Sequence, residues 1–111
     1  LCQSAADKNL NILPLNIGHM DLVSNFAFPL VFKTKDLAIS YREIFKSNEI
    51  EIRPIVGGNI TQQPFFKKYF GESYRMPNSE LIHENGFYIP NNPELTSSEL
   101  KIITDTISKV L

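Results

Sequence analysis

The apolar and polar positions between residues 26 and 48 predict a strand followed by a helix. Phe26 to Lys33 is an almost continuous run of aromatic and branched residues, which is typical of a strand buried on both faces. We expect helices on one face of this strand and another domain on the other. Thr34 or Asp36 then serves as the N-cap of a helix. The apolar stripe and polar end of that helix comprise Leu37, Tyr41, Ile44 and Phe45, followed by Lys46, Ser47 and Asn48.

Alternating residues after this helix predict a second strand with two different faces. Ile50 and Ile52 point to one face, and Glu51 and Arg53 point to the other. Pro54 favours an extended residue before it and has no backbone N–H to donate. The strand is therefore expected to lie at a sheet edge or to end here.

A glycine-rich turn and a short helix are predicted next. The segment Gly57-Gly58-Asn59 permits positive φ angles and the close approach of another group. Pro64 suits the first turn of a helix that Gly71 ends. Aromatic residues recur four apart along this helix, and such a row packs in a core more often than it binds a ligand. The two pairs are Phe65 with Tyr69 and Phe66 with Phe70.

The remaining sequence predicts a loop, a strand and a helix with strong end signals. Residues 71–80 are expected to form a loop, and residues 79–85 a helical turn on which His83 is structural or solvated. Phe87 to Ile89 forms a short strand that Pro90 ends. Thr96 and Glu99 form a capping box, and Leu95 with Leu100 makes a hydrophobic staple. The apolar face of this last helix comprises Leu100, Ile103, Ile107, Val110 and Leu111.

The order of these elements predicts an α+β fold, with helices covering a small, mostly antiparallel three-stranded sheet. Residues 1–23 carry weaker signals: Leu1 to Lys8 is expected to be the tail of a helix, and the next stretch is broken by Pro and Gly. The chain begins with leucine rather than methionine and has no signal-peptide pattern. We therefore expect residues 1–23 to lead in from a large upstream domain and residues 24–111 to form one small domain.

Composition narrows the class of protein. A chain of 111 residues with 42% hydrophobic and 11% aromatic residues suits one globular domain. Its net charge of −1 suggests neither a nucleic-acid nor an anionic-membrane surface, and its longest apolar run is too short to span a bilayer. Cys2 is the only cysteine, so an internal disulfide is excluded and no metal site is expected. His19 has no second ligand nearby. A single cysteine without a disulfide is consistent with the reducing cytoplasm, where we expect the protein to act.

The candidate chemistry lies around the central turn. One guanidinium, one Asn amide, one Thr hydroxyl and two Gln amides lie close together there, which would suit a polar ligand. They belong to Arg53, Asn59, Thr61, Gln62 and Gln63. In the alternative interpretation the segment is only a turn, and Arg53 is solvated or paired with Glu51. No phosphate-binding glycine motif is present, and no nucleophile has an adjacent base. The residues alone predict no catalytic site.

Three segments in order resemble the C-terminal domain of pyridoxal-phosphate-dependent nucleotide-sugar aminotransferases and dehydrases, of the fold-type I superfamily. Residues 52–64 resemble the family segment T-R-(two or three apolar)-x-G-N-x-T-x-Q-P. Residues 24–30, Ser-Asn-Phe-Ala-Phe-Pro-Leu, resemble its upstream strand S-x-F-x-F-(two apolar). Residues 86–93 and 95–100 resemble its closing strand, turn and last helix. The resemblance spans about residues 24–111.

The resemblance implies a role in making the unusual amino or deoxy sugars of lipopolysaccharide. The small domain would close over the active site, with Arg53, Gly58, Asn59, Thr61 and Gln63 contacting a nucleotide-sugar substrate. Pyridoxal phosphate would be bound mainly by the large domain, which holds the Schiff-base position, so this chain alone is expected to be inactive. The full-length enzyme would be a homodimer.

Two points stay open within this interpretation. Pro54 and Gly57 depart from the commonest dehydrase form, so the sequence does not identify the sugar substrate. It also does not distinguish transamination from dehydration. Lysine at the Schiff-base position would indicate the former reaction, and histidine the latter. The alternative from a different class is a free-standing α+β binding or regulatory module without catalysis of its own.

Overall fold

The computed structural model describes residues 1–71 and 74–111, and their fold is α+β, as predicted. Five α-helices, one 3₁₀ helix and two strands are present within these residues. In chain order they are α1 (Cys2–Lys8), β1 (Ala27–Val31), α2 (Lys35–Ser47), the 3₁₀ helix (Ile60–Gln62), α3 (Pro64–Phe70), α4 (Pro77–Asn85), β2 (Gly86–Pro90) and α5 (Ser97–Ile107).

The sheet has two antiparallel strands, so the prediction of three strands is not confirmed. β1 and β2 pair with Leu30 opposite Phe87. The central segment joins this sheet only through one bridge, in which Arg53 and Tyr88 exchange backbone hydrogen bonds of 3.0 and 2.8 Å. This register sets Glu51 opposite Pro90, which has no N–H to donate, so the ladder ends after one pair.

The core lies on one face of the sheet and is built around stacked aromatic rings. Phe32 stacks on Tyr41 with ring centroids 4.5 Å apart and on Phe87 at 5.3 Å. Phe45 meets Phe87 edge-on at 5.4 Å, and all four rings are buried. The opposite sheet face carries Pro29 and Tyr88, which are half-buried. The expected second domain over that face remains a prediction.

The two long helices follow their sequence signals, with one exception. Thr34 is the N-cap of α2, and its Oγ accepts from the backbone N of Leu37 at 3.2 Å. The capping box of Thr96 and Glu99 is confirmed at the start of α5. Because α5 ends at Ile107, Val110 and Leu111 lie beyond it and are exposed. Their predicted place in its apolar stripe was wrong.

The aromatic row of α3 is not in the core. Phe65, Tyr69 and Phe70 are 52%, 71% and 59% exposed, so that prediction was wrong. The helical spacing itself is present, since the rings of Phe66 and Phe70 lie 4.9 Å apart. Helix α3 packs mainly against the 3₁₀ helix before it, and this short neighbour does not cover the rings.

Helix α4 begins two residues before its predicted start. The expected loop over residues 71–80 therefore ends at Pro77, which occupies the first turn of the helix. Residues 72 and 73, also assigned to that loop, lie outside the described residues. Strand β2 follows α4 without a break and ends at Pro90, as predicted.

The N-terminal residues contribute to the core. Helix α1 packs against α5, and Ala5, Ala6 and Ile12 are buried. Beyond Pro14 the chain is mostly exposed until Ala27. Across the described residues, no helix has both the length and the apolar character that crossing a membrane requires.

Candidate functional site

Arg53 lies on the exposed side of the central segment, as its alternation predicted. Its backbone is fixed by the bridge to Tyr88, while its side chain reaches back to Glu51. Both Nε and Nη2 of Arg53 contact Oε1 of Glu51, at 2.8 and 2.7 Å. The ion pair between Arg53 and Glu51, which the alternative interpretation of the sequence includes, is therefore present.

The ion pair affects the charge state of Arg53. The hydrogen bond from the guanidinium to Glu51 raises the pKa of Arg53 further above its usual range, so the side chain keeps its positive charge. Because both partners are exposed, water screens their attraction and the pair contributes little to stability. A competing anion can therefore draw Arg53 away from Glu51.

The glycine turn has the positive φ angles that its sequence predicted. Gly57 and Gly58 have φ of +77° and +50°, and the N–H of Gly58 donates to the carbonyl of Ile55 at 3.0 Å. The imidazole of His83 in α4 lies directly against Gly58, and a Cβ there would overlap its Nδ1. The close approach predicted at this turn is thus made by a histidine of the same chain.

Asn59 is fully buried and caps the 3₁₀ helix. Its Oδ1 accepts hydrogen bonds from the backbone N and the Oγ1 of Thr61, at 3.1 and 2.7 Å. Its Nδ2 is a buried side-chain nitrogen without a hydrogen-bond partner in the described part of the chain. A buried donor without a partner is costly to the folded state.

Gln63 is the N-cap of α3 and is half-buried, and its side chain makes no cap hydrogen bond. Its carbonyl accepts instead from the backbone of Phe66 and Lys67. The structure thus joins Gly58, Asn59, Thr61 and Gln63 along one turn and two short helices. Arg53 lies apart from this group: it lines two cavities, and none of the four residues lines either of them.

Other side chains near Arg53 were not singled out from the sequence. A cavity of about 210 Å³ brings Arg53 together with Phe26 and Tyr88, whose rings meet edge-on at 5.8 Å. A second cavity, of about 250 Å³, joins it to Arg42 and Lys46 of α2. Their spacing of four residues predicts a shared helix face, but only the folded chain brings that face to Arg53.

The residues of this chain do not form a pyridoxal-phosphate site. All its lysines are exposed, whereas a Schiff-base lysine needs a buried setting that lowers its pKa. Burial raises the pKa of the Cys2 thiol, so this cysteine is a poor nucleophile. Within residues 1–71 and 74–111, no three His, Cys, Asp or Glu side chains converge as a metal site requires.

In comparisons with known proteins, the chain matches no family model, no curated protein and no solved structure.

Proposed function

We propose that this chain is the C-terminal small domain of a pyridoxal-phosphate-dependent nucleotide-sugar aminotransferase or 3-dehydrase of the fold-type I superfamily. Its pathway would make the amino or deoxy sugars of lipopolysaccharide. The observation that carries the proposal is the conformation of the motif segment. Gly57 and Gly58 both have positive φ, and Asn59 is buried as a cap for Thr61. Each of these residue types has a conformational reason to be in the motif.

In this proposal the segment forms one wall of the substrate site. Arg53 offers a planar fork of donors to phosphate or sugar oxygens, after release from Glu51. Asn59, Thr61 and Gln63 shape the adjoining wall, and Asn59 does so from within, because it is fully buried and caps the turn that carries Thr61. The enzyme would act in the cytoplasm as a homodimer, and the cofactor would be held by the large domain, where it supplies an electron sink.

The sequence encoded upstream of Leu1 gives the most direct test. We expect a large domain with a Schiff-base position, where lysine indicates an aminotransferase and histidine a 3-dehydrase. An open reading frame that begins near Leu1 would contradict the proposal and favour a free-standing binding or regulatory module.

A kinetic test uses Arg53 in the full-length protein. We expect Arg53→Ala to lower kcat/KM for the nucleotide sugar by about ten- to a hundredfold, because a charge-assisted contact to the substrate is lost. The absorbance spectrum of the bound cofactor should not change. Glu51→Gln is the matched control, since it breaks the ion pair but keeps the guanidinium, and its kcat/KM should be equal or higher. An unchanged kcat/KM in Arg53→Ala would make the pair purely structural.

A binding test uses the 111-residue chain alone. We expect no stoichiometric, borohydride-reducible adduct with pyridoxal phosphate, because none of its lysines is buried. Mass spectrometry after reduction measures this directly. A single fully modified lysine would place the cofactor site in this chain and contradict the assigned division between domains.

A further inference from the structure

A cavity of about 250 Å³ between α2 and residues 52–54 is lined by three positively charged side chains. These are Arg42, Lys46 and Arg53, and no carboxylate is among the lining residues. The remaining wall is apolar and comprises Ile52, Pro54 and Phe87. Three like charges around one apolar-walled cavity repel one another, and an anion between them would remove that repulsion.

The side chain of Arg42 is held in position by two contacts with strand β2. Its guanidinium lies 5.7 Å from the ring centroid of Phe87, which is 1% exposed, and Nη2 donates to the carbonyl of Gly86 at 3.1 Å. A cation over a buried ring and a backbone acceptor together limit its rotamers. Arg42 therefore presents its other N–H groups at little further entropic cost.

The other two cations have carboxylate partners that lie outside the cavity lining. Lys46 contacts Glu43 at 3.5 Å, and Arg53 contacts Glu51 at 2.7 Å. The contacts of Arg53 with Glu51 use Nε and Nη2, and among the described residues Nη1 has no hydrogen-bond partner. All four side chains of these pairs are more than half exposed, so exchange of a carboxylate for a bound anion is inexpensive.

We propose that this cavity binds the diphosphate group of a small molecule, with Arg42 and Arg53 as planar donors and Lys46 as a point charge. A multiply charged phosphate suits two guanidinium forks and an ammonium better than a single carboxylate does. The inference deepens the proposed function and rests on it, because Arg53 lines this cavity and is also assigned to the phosphate or sugar oxygens of the substrate. Its test requires only residues of this chain.

The test is a titration of the 111-residue chain with inorganic pyrophosphate, followed by backbone amide NMR shifts. We expect saturable shifts in the segments 42–46 and 52–53, and weaker binding of acetate. Lys46→Gln should weaken pyrophosphate binding by about three- to tenfold, because it removes one charged contact. Lys46 is chosen because Arg42 also supports the fold through its backbone contacts.

Lys101→Gln is the matched control. Lys101 is also an exposed helical lysine paired with a carboxylate of its own helix, but it lies on α5 and outside the cavity lining. Its replacement should leave the affinity unchanged. Absence of saturable shifts in the wild-type chain, or equal losses in the two variants, would overturn the proposal. Neither result bears on the upstream sequence, which tests the proposed function separately.

Discussion

At the scale of single residues, the contact between Gly58 and His83 gives the sharpest prediction. A methyl group at Gly58 would meet the left-handed backbone at φ +50° and would overlap the imidazole. At Gly57, with φ +77°, no atom lies within 4 Å of such a methyl group. We expect Gly57→Ala to cost about 1 kcal/mol of unfolding free energy, and Gly58→Ala to cost about 1 kcal/mol more.

Urea unfolding of the two variants, with and without His83→Ala, separates the cost of the positive φ angle from the cost of the overlap with the imidazole. In the His83→Ala background the two alanine variants should become equally stable, because only the backbone cost remains. If Gly58→Ala and Gly57→Ala are already equal in the wild-type background, the imidazole moves aside freely and the contact imposes no constraint.

The site residues also show where sequence reasoning stops. Two glycines before an Asn indicate a turn because few other residues adopt positive φ, and this local property was predictable. The contact with His83 was not, since 25 positions separate it from Gly58. The same limit applies to Arg42, whose position beside Arg53 depends on the packing of α2.

At the scale of elements, the start of α5 carries a prediction about its capping box. The Oγ1 of Thr96 accepts from the backbone N of Glu99 at 3.3 Å. Thr96→Ala should lower the unfolding free energy by about 1 kcal/mol, because that N–H loses its partner. The control in the same helix is Thr104→Ala, where alanine has the better helix propensity and little change is expected. Equal urea midpoints for wild type and Thr96→Ala would contradict the assigned cap.

The same box predicts a contribution to stability that depends on pH. Hydrogen bonds from the side chain and then the backbone of Thr96 lower the pKa of Glu99 below its ordinary value of 4.5. The unfolded chain thus binds this proton more readily, so the contribution is complete above about pH 4.5 and is lost as pH falls through the lowered pKa. Glu99→Gln should flatten the acid side of the stability curve, measured as urea midpoints between about pH 6 and pH 3. An unchanged slope would exclude this role for Glu99.

Elements with complete local signals were predicted better than those that depend on neighbours. α2 and α5 have cap residues and an apolar stripe in one continuous stretch. α2 formed near both expected bounds, and α5 formed at its expected start but ended before Val110. The aromatic row of α3 has the right period, but period alone does not say whether another element covers it. The third strand failed because its partner position is Pro90, and a register cannot be inferred from one strand.

At the scale of the whole molecule, a buried polar network joins three distant parts of the chain. The amide Nδ2 of Asn9 contacts the hydroxyl of Tyr41 at 2.8 Å and the carbonyl of Ile107 at 2.7 Å. The hydroxyl of Tyr41 donates in turn to the carbonyl of Lys109. Asn9 follows α1, Tyr41 belongs to α2, and the two carbonyls lie at the C-terminal end of α5 and just beyond it. These bonds fix the two ends of the chain against the core.

Tyr41→Phe tests that network by removing one oxygen from a fully buried ring. The stacking on Phe32 is retained, but Asn9 loses an acceptor and Lys109 a donor, so we expect a loss of about 1–3 kcal/mol. Tyr69→Phe is the matched control, because the same atom is removed from a side chain that is 71% exposed, and it should have little effect. Faster amide hydrogen exchange is expected in Tyr41→Phe for both α1 and the end of α5. Equal unfolding free energies in the two variants would show that packing alone holds the chain ends.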